Sequence, residues 1–212
     1  MEPKVNPRGQ SSPLRRHQAA ATRARIVEAA TMVFEARGYE GARIEDIAAS
    51  AGVAYPTVYK AFDNKRNLLT AAVDAAMTGG TEGKLERQSW WLEQLEEADA
   101  ARQLRLVARN ARRIYERAGR LLEVVRAAAP AHEEIDALWQ SINDERLARS
   151  RSTATSLAGK ARLRAAPREA TRTLWTLSGP ELYVLQVDGA GLRPDTYERW
   201  LGDLLVAALL PS

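Results

Sequence analysis

The chain has 212 residues, 45% of them hydrophobic, so it can form one large or two small globular domains around a sizeable core. Cysteine is absent, which excludes disulfides, thiolate metal sites and cysteine nucleophiles and fits a reducing compartment. No apolar run approaches the ~20 residues that span a bilayer, and the start of the chain lacks the apolar centre of a signal peptide. We therefore expect a soluble, cytoplasmic protein that makes no contact with a membrane.

The net charge of +4 is distributed unevenly along the chain. Residues 1–66 contain 11 Lys or Arg and 7 Asp or Glu, whereas residues 67–212 contain 20 of each kind. A basic module joined to a neutral one suggests a part that binds a polyanion and a body with another task. A chance imbalance of surface charge is the alternative explanation.

Residues 1–16 are rich in proline and basic side chains and have no hydrophobic periodicity, so we expect a disordered basic arm. Such an arm could add contacts to phosphates, or it could be a leader remnant without a role. The sequence leaves both readings open. A helix is then predicted from Thr22, its candidate cap, to Gly38. Its inner face would consist of Ile26, Ala30, Val33 and Phe34.

The next stretch predicts two short helices joined by a tight turn. Apolar residues recur at three- and four-residue spacing over 43–51, which indicates an amphipathic helix. Gly52 fits the left-handed position that ends a helix, and Pro56 suits the first turn of a second helix over 55–61. Two such helices make a helix-turn-helix, and the helix before them completes a three-helix head.

The second of these helices has side chains that suit a surface for DNA. Val58 and Phe62 can face the core, which leaves aromatics, hydroxyls and a cation for other directions. In this geometry the first residues of the second helix reach the bases. We therefore assign contacts with bases or flanking backbone to Tyr55, Pro56, Thr57 and Lys60, and contacts with phosphates to Arg43, Tyr59 and Lys65. Packing of the Tyr59 ring against the first helix is the alternative for that residue.

Residues 38–69 resemble the signature of the TetR (tetracycline-repressor-like) family of transcriptional regulators. The resemblance is strong over about residues 22–72 and is carried by G-Y-E-G-A-R-I-E-D-I-A-A-S-A-G-V-A-Y-P-T-V-Y-K-A-F-D-N-K-R-N-L-L. It implies an all-α protein with a DNA-binding head and a helical body that binds an effector and dimerises, usually a repressor. Two departures are visible. Ala42 and Arg43 stand where the family often has Thr or Ser, and Ala54 stands where a serine usually caps the recognition helix, a loss of ~1 kcal/mol.

The domain boundaries follow from these patterns. We expect the arm over 1–16, the helix-turn-helix domain over 17–66 and the effector-binding and dimerisation domain over 67–212. A linking helix should run to Gly79, and the body should be helical throughout. Within it, the pattern predicts a separate short helix over 120–129 and one continuous helix over 167–188. A last helix should begin at Pro194, and no strand is predicted.

The motifs of common enzymes are missing from this sequence. It has no glycine loop with Lys-Ser/Thr for phosphate, no two-histidine helix motif and no Gly-x-Ser-x-Gly elbow. Of its two histidines, His17 lies in the basic arm, and His132 lies beside Glu133 and Glu134 at what reads as a solvated helix start. A metal site at His132 would need further ligands to converge on it, so we expect no cofactor and no metal. Two alternatives remain: a helical ligand-binding protein or enzyme with an incidental basic head, and a DNA-coating protein that binds any duplex equally.

The last two predicted helices have wide apolar stripes, and monomers rarely leave such patches exposed. In the resembling family, the last long helices of two subunits form a four-helix bundle, a closed two-fold interface. The candidate interface consists of Leu174, Leu182, Leu185, Tyr197, Trp200, Leu201, Leu204, Leu205 and Leu209. Packing within one subunit is the alternative for these residues.

The resemblance also places an effector pocket inside the body. The candidate lining consists of Trp91, Asn110, Arg113, Tyr115, Trp139, Asn143 and Trp175, which are aromatics with a few polar groups. An ordinary helical core would contain similar residues. The ligand should be apolar or aromatic, and an anion is favoured if Arg113 turns inward. It would act by drawing the dimer off a near-palindromic operator.

Overall fold

The computed structural model describes residues 13–81 and 83–211, and the regular structure in these two ranges is entirely helical. The all-α prediction is confirmed. The α-helices of these ranges are α1 (Pro13–Gly41), α2 (Ile44–Ser50), α3 (Tyr55–Phe62), α4 (Lys65–Thr78), α5 (Ser89–Glu96), α6 (Ala100–Ala128), α7 (Glu133–Ala158), α8 (Pro167–Leu177), α9 (Pro180–Tyr183) and α10 (Pro194–Leu209). Helices α1 to α3 form the head, α5 to α10 form the body, and α4 joins them. No helix of the described part is long and apolar enough to cross a membrane.

The head packs α2 and α3 against α1 around a small apolar core. Ile26, Phe34 and Ile47 are fully buried there, and Val58 reaches the same core from α3. The turn between α2 and α3 has Gly52 in the left-handed region with φ 64°, as the sequence predicts. The helix-turn-helix is therefore present where its pattern indicated.

Helix α1 begins earlier than predicted, and its helical backbone is interrupted at Gly38, where the sequence predicted its end. It begins at Pro13, which suits a first helical turn, so Thr22 lies inside the helix and is not its cap. The last four residues of the expected basic arm, 13–16, are thus helical, and residues 1–12 lie outside the described residues. Near its other end the helix is kinked at Gly38, where φ is 69° and ψ is 179°.

Helix α4 is held firmly at both ends. At its start the Asn64 side chain accepts a hydrogen bond from the Asn67 N–H at 2.8 Å and so caps the helix. At its end, Arg117 of α6 donates to the carbonyl oxygens of Ala76 at 3.1 Å and Met77 at 3.2 Å. Because α4 packs on both α1 and α6, it connects the head directly to the body.

A second contact between head and body involves His132, the residue before α7. Its ring pairs with the carboxylate of Glu40 at the end of α1 and packs edge-on against Tyr39, with ring centroids 5.1 Å apart. The sequence suggested only a solvated helix start for this histidine. Its position shows instead that the α6–α7 turn touches the head.

Helix α6 is the centre of the body and contacts α1, α4, α7 and α10. The predicted break at Gly119 is wrong, because α6 continues through this residue to Ala128. The glycine instead permits a close crossing. A Cβ atom at this position would lie 3.4 Å from Val184 and 3.5 Å from Tyr183, so the absent side chain leaves room for that segment.

The predicted continuous helix over 167–188 is also wrong. It is divided at Gly179 into α8 and α9, because Pro180 has no N–H for a helical hydrogen bond and its ring clashes with the preceding turn. Glycine suits position 179 because a Cβ atom there would lie 2.5 Å from the Glu181 carboxylate and 2.7 Å from the Arg146 guanidinium. After α9 the chain winds into a π-helical turn, Val184–Gly189, before α10.

Candidate nucleic-acid interface and effector cavity

Helix α3 presents one face to the core and the other to solvent. Val58 and Phe62 are 1% and 5% exposed, whereas Tyr55 and Tyr59 are 40% and 45% exposed. Among the other assigned residues of α3, Pro56 and Lys60 are exposed and Thr57 is half-buried. The apolar pair anchors the helix, so that the remaining side chains form one accessible surface.

The two exposed tyrosines form a pair on this surface. Their ring centroids lie 4.9 Å apart, so Tyr59 packs on its neighbour and not against α1. The hydrogen bond between the two hydroxyls, aided by slight burial, raises the pKa of Tyr55 to about 12. A neutral phenol at physiological pH can both donate to and accept from phosphates and base edges.

The two cations predicted to bind phosphates differ in whether they are available to a ligand. Arg43 precedes α2 with its side chain 71% exposed, 3.7 Å from the Glu45 carboxylate. Lys65, by contrast, donates to the carbonyl oxygens of Tyr39 at 2.9 Å and Ala42 at 3.3 Å. Its ammonium also lies 4.4 Å from the centre of the Tyr39 ring. Lys65 therefore fastens the start of α4 to the end of α1, a structural role that the sequence did not predict.

One arginine of the head has a similar internal role that sequence reasoning missed. Arg23 of α1 donates to the carbonyl oxygen of Ala61 at 2.6 Å and lies 4.0 Å above the Phe62 ring. These contacts close the end of α3 against α1. No local pattern could have indicated them, because the partners are 38 residues apart along the chain.

The body encloses a cavity between α4, α5, α6, α7 and α8, which we call the inner cavity. Water-sized atoms can place their centres in about 70 Å³ of it. Its aromatic walls are Trp90, Trp91 and Tyr115. A wider space of about 550 Å³, the outer cleft, lies between α4, α7 and the α4–α5 connection, and both spaces are lined by Met77 and Arg149.

The predicted pocket residues divide into two groups. Trp91, Asn110 and Tyr115 line the inner cavity. The other four do not: Arg113 is exposed to solvent, and Trp139, Asn143 and Trp175 are half-buried behind the wall. Arg146 and Arg149, which were not among the predicted pocket residues, also line the cavity.

Hydrogen bonds between buried amides and a hydroxyl fix the polar wall of the inner cavity. The Asn110 amide donates to Gln94 at 3.0 Å, and Gln94 donates to the Thr153 hydroxyl at 3.2 Å. All three side chains are at most 4% exposed, so the hydrogen bonds offset the cost of burying them. These hydrogen bonds join α5, α6 and α7 and so fix the shape of the cavity on this side.

The two cavity arginines have different partners. Arg146 is 6% exposed and donates to the Asn143 side chain at 2.9 Å and to the Trp175 carbonyl oxygen at 3.1 Å. Arg149 is 12% exposed and donates to the Glu86 carboxylate at 2.9 Å. Burial of Glu86 acts to raise its pKa, but the hydrogen bond and charge of Arg149 outweigh this effect and lower it below the ordinary value.

The candidate dimer residues do not form one surface. Leu174, Tyr197, Leu201, Leu205 and Leu209 are at most 1% exposed and belong to the core of one subunit, which corrects their assignment to the interface. The stripe on α10 is mostly used to pack against α6. The remaining four candidates point outward or lie at the edge: Leu185 is 62% exposed, Trp200 is 38% exposed, and Leu182 and Leu204 are partly buried.

Comparison with known proteins gives this architecture a context. Residues 26–72 match the family described as "Bacterial regulatory proteins, tetR family". The protein named "Probable HTH-type transcriptional regulator ArpR" of Pseudomonas putida is 33% identical over 110 residues. The match covers 52% of this chain and 51% of that protein, so it spans about half the length of each.

Two solved structures are similar over most of their length. NalD, the secondary repressor of the MexAB-OprM multidrug efflux pump in Pseudomonas aeruginosa, has a TM-score of 0.67 at 24% identity, with 92% of this chain and 99% of NalD covered. The SmeT–triclosan complex has a TM-score of 0.70 at 20% identity, with 91% and 93% covered. At these identities the likeness concerns the fold, which extends over head and body alike.

Proposed function

The chain belongs to the TetR family of bacterial regulatory proteins, and from this premise we propose that it is a sequence-specific DNA-binding transcriptional regulator acting in the cytoplasm. The observation that carries the proposal is the surface of α3. Tyr55, Pro56 and Lys60 project from a helix whose apolar residues are anchored in the head, the arrangement by which a recognition helix reads the major groove. The protein would be a repressor released by a small molecule.

A homodimer is the second part of the proposal. The segments α9 to α10 carry the outward apolar residues Leu185 and Trp200 and the partly buried Leu182 and Leu204. Exposed apolar areas mark protein interfaces more often than free surface. A two-fold dimer would present its heads to successive major grooves ~34 Å apart, so the operator should be a near-palindrome.

The inner cavity is the proposed effector site. It has mostly apolar walls and a few convergent polar groups, which is the usual character of a small-molecule site. One wall residue, Met77, belongs to α4, the helix that joins head and body. A ligand that binds better to a form with displaced heads would draw the dimer off DNA by that difference in affinity alone.

Selection of genomic DNA fragments by the purified protein tests this function. We expect one near-palindromic site to bind ~10³-fold or more tightly than unrelated duplex. Arg43→Gln should weaken binding to all duplexes and reduce the salt slope by about one unit, whereas Tyr55→Ala should change the preferred base.

The competing functions give different results in the same assay. Equal affinity for every duplex would favour a DNA-coating protein and contradict a specific regulator. Turnover of a metabolite by a protein that binds no DNA would favour the helical enzyme with an incidental basic head. If Tyr55→Ala and Arg43→Gln both bound the selected site like the wild type, the assignment of α3 and the start of α2 to the DNA would fail.

A further inference from the structure

The wall of the inner cavity has an unbalanced charge. Among the described residues that line it, two are arginines and none is an aspartate or glutamate. The other polar groups of the wall are neutral amides and hydroxyls, such as those of Asn110 and Thr153. The cavity therefore offers positive charge and hydrogen-bond donors to whatever occupies it.

Arg146 is the more unusual of the two cations. Its guanidinium is almost completely buried, yet its two described hydrogen bonds go to the neutral oxygens of Asn143 and Trp175. The nearest carboxylate, that of Glu181, is 3.9 Å away and about half exposed to solvent. Because this one ion pair is long and its carboxylate is half exposed to water, the buried charge of Arg146 is only weakly compensated, and the site favours an anion brought by a ligand.

Arg149 lies where the inner cavity meets the outer cleft, and it already has a carboxylate partner. Glu86, from the short helical turn Leu85–Arg87, is 2.9 Å from its guanidinium. This pair shows that the position accommodates a carboxylate. A ligand carboxylate would compete with Glu86 and could release its turn, which lies on the connection that follows α4.

The remaining walls suit a flat or apolar body. Trp90 and Trp91 meet edge to face with ring centroids 6.3 Å apart, and Tyr115 lines the same space. Aromatic faces stack well with aromatic ligands, and a guanidinium matches a carboxylate with two parallel hydrogen bonds. The arginines thus suit a carboxylate at one end of a ligand, and the aromatic walls suit a flat or apolar body at its other end.

We propose that the effector is a small organic carboxylate with an aromatic or short apolar body, bound through its carboxylate by Arg146 and Arg149 of the inner cavity. The inference rests on the proposed function in that it takes this cavity as the effector site. It replaces the expectation that depended on Arg113, because that side chain is exposed on α6 and lies outside the cavity.

Binding to the purified protein tests the ligand class without DNA. The probes are benzoate, phenylacetate and hexanoate, each beside its neutral amide, with benzylamine as the cation, and the signal is quenching of Trp90 and Trp91. We expect the carboxylates to bind about 10- to 100-fold more tightly than their amides, since only they form charge-assisted hydrogen bonds. Equal binding of the amides, preference for benzylamine, or no binding of any carboxylate would overturn the proposal.

Variants assign the binding to the two arginines. Arg146→Gln and Arg149→Gln should each remove most of the preference for carboxylate over amide, while Arg113→Gln, a matched change outside the cavity, should leave it unchanged. Glu86→Gln removes the nearer of the two carboxylates that pair with Arg149, leaving Glu145 at 3.7 Å, and should tighten carboxylate binding. Should Arg146→Gln fail to fold, Arg149→Gln and Glu86→Gln still decide the matter, because unchanged carboxylate affinity in both would overturn the assignment.

Release from DNA separates this inference from the proposed function. A carboxylate that binds the cavity should also dissociate the protein from its selected operator, and binding without release would overturn its identification as an effector. If the operator is bound specifically but no carboxylate binds, the inference fails and the regulator remains. If carboxylates bind but no operator can be selected, the proposed function fails instead.

Discussion

Two buried tyrosines of the body differ in the hydrogen bonding of their hydroxyls. Tyr115 donates to the carbonyl oxygen of Ser178 at 3.0 Å, whereas the Tyr197 hydroxyl is buried without a partner among the described residues. Burial, with a smaller effect of the nearby Tyr115 and Tyr183 hydroxyls, raises the pKa of Tyr197. An unsatisfied buried hydroxyl costs ~1–3 kcal/mol. The two residues therefore allow a matched comparison.

We expect Tyr197→Phe to raise the free energy of unfolding by about 1 kcal/mol, because it removes an unpaired polar group. Tyr115→Phe should lower it by about 1 kcal/mol, because it breaks a satisfied hydrogen bond. Urea unfolding at equilibrium measures both changes. A loss of stability in Tyr197→Phe would mean that the hydroxyl is bonded in solution, for example to a water molecule.

The alkaline behaviour of the α3 surface depends on Tyr55. Its hydrogen bond with Tyr59 raises its pKa to about 12, from an ordinary value of 10.0. The folded state thus binds the Tyr55 proton more tightly than the unfolded state does. The stabilisation that Tyr55 contributes is therefore complete below pH 10 and is lost as the pH rises towards 12. In an ultraviolet titration, Tyr59→Phe should move one tyrosine ionisation downwards, and Tyr55→Phe should abolish it. Unchanged titration in Tyr59→Phe would refute the hydrogen bond.

At the scale of single elements, the helix starts of the head provide an opposite pair of changes. Asn64 caps α4 with its side chain, whereas Ala54 precedes α3 in an extended conformation without a side-chain cap. Asn64→Ala should lower the free energy of unfolding by about 1 kcal/mol, and Ala54→Ser should raise it by up to about 1 kcal/mol. Thermal unfolding checks both. If Ala54→Ser destabilises the head, the backbone there does not suit a cap.

Elements were predictable from the sequence where their signals are local. The bounds of α2 and α3 follow from hydrophobic spacing, Gly52 and Pro56, which act within a few residues of themselves. Gly119 misled the prediction because its role is to admit Val184 from a distant segment, a contact that local patterns do not contain. The division of α8 from α9 had a local signal, the Gly179-Pro180 pair, but the apolar spacing on either side suggested continuity.

The functional site was predictable in part for the same reason. Most of the residues that we assign to DNA lie on one short helix, α3, so its periodicity separated exposed Tyr55 from buried Val58. The cavity is assembled from five helices, and its arginines lie in a polar stretch whose inward direction depends on packing of α7 against α8. The structural role of Lys65 was unpredictable for the same reason, since its carbonyl partners lie 23 and 26 residues away.

At the scale of the whole molecule, the dimer is open to a direct test. Leu185 is the more exposed of the outward apolar residues on the α9–α10 side, and Leu92 of α5 is comparably exposed on another side of the body. We expect the wild type to sediment as a dimer and Leu185→Glu to shift it towards monomer with loss of operator binding, because a charge would be buried in the interface. Leu92→Glu is the control and should remain dimeric. A monomeric wild type at micromolar concentration would contradict the dimer.

The clamping of α4 by Arg117 at one end and by Lys65 at the other has a mechanical consequence. Helix α4 has 14 residues and is hydrogen-bonded at both ends, so it moves as one rigid body. If it tilts about the end held by Arg117, next to the cavity, the other end carries the head with it. The length of α4 is ~21 Å, so a tilt of about 10° carries the far end through ~4 Å. Under the proposed function, a ligand that moved Met77 only slightly would therefore misalign a head against its groove.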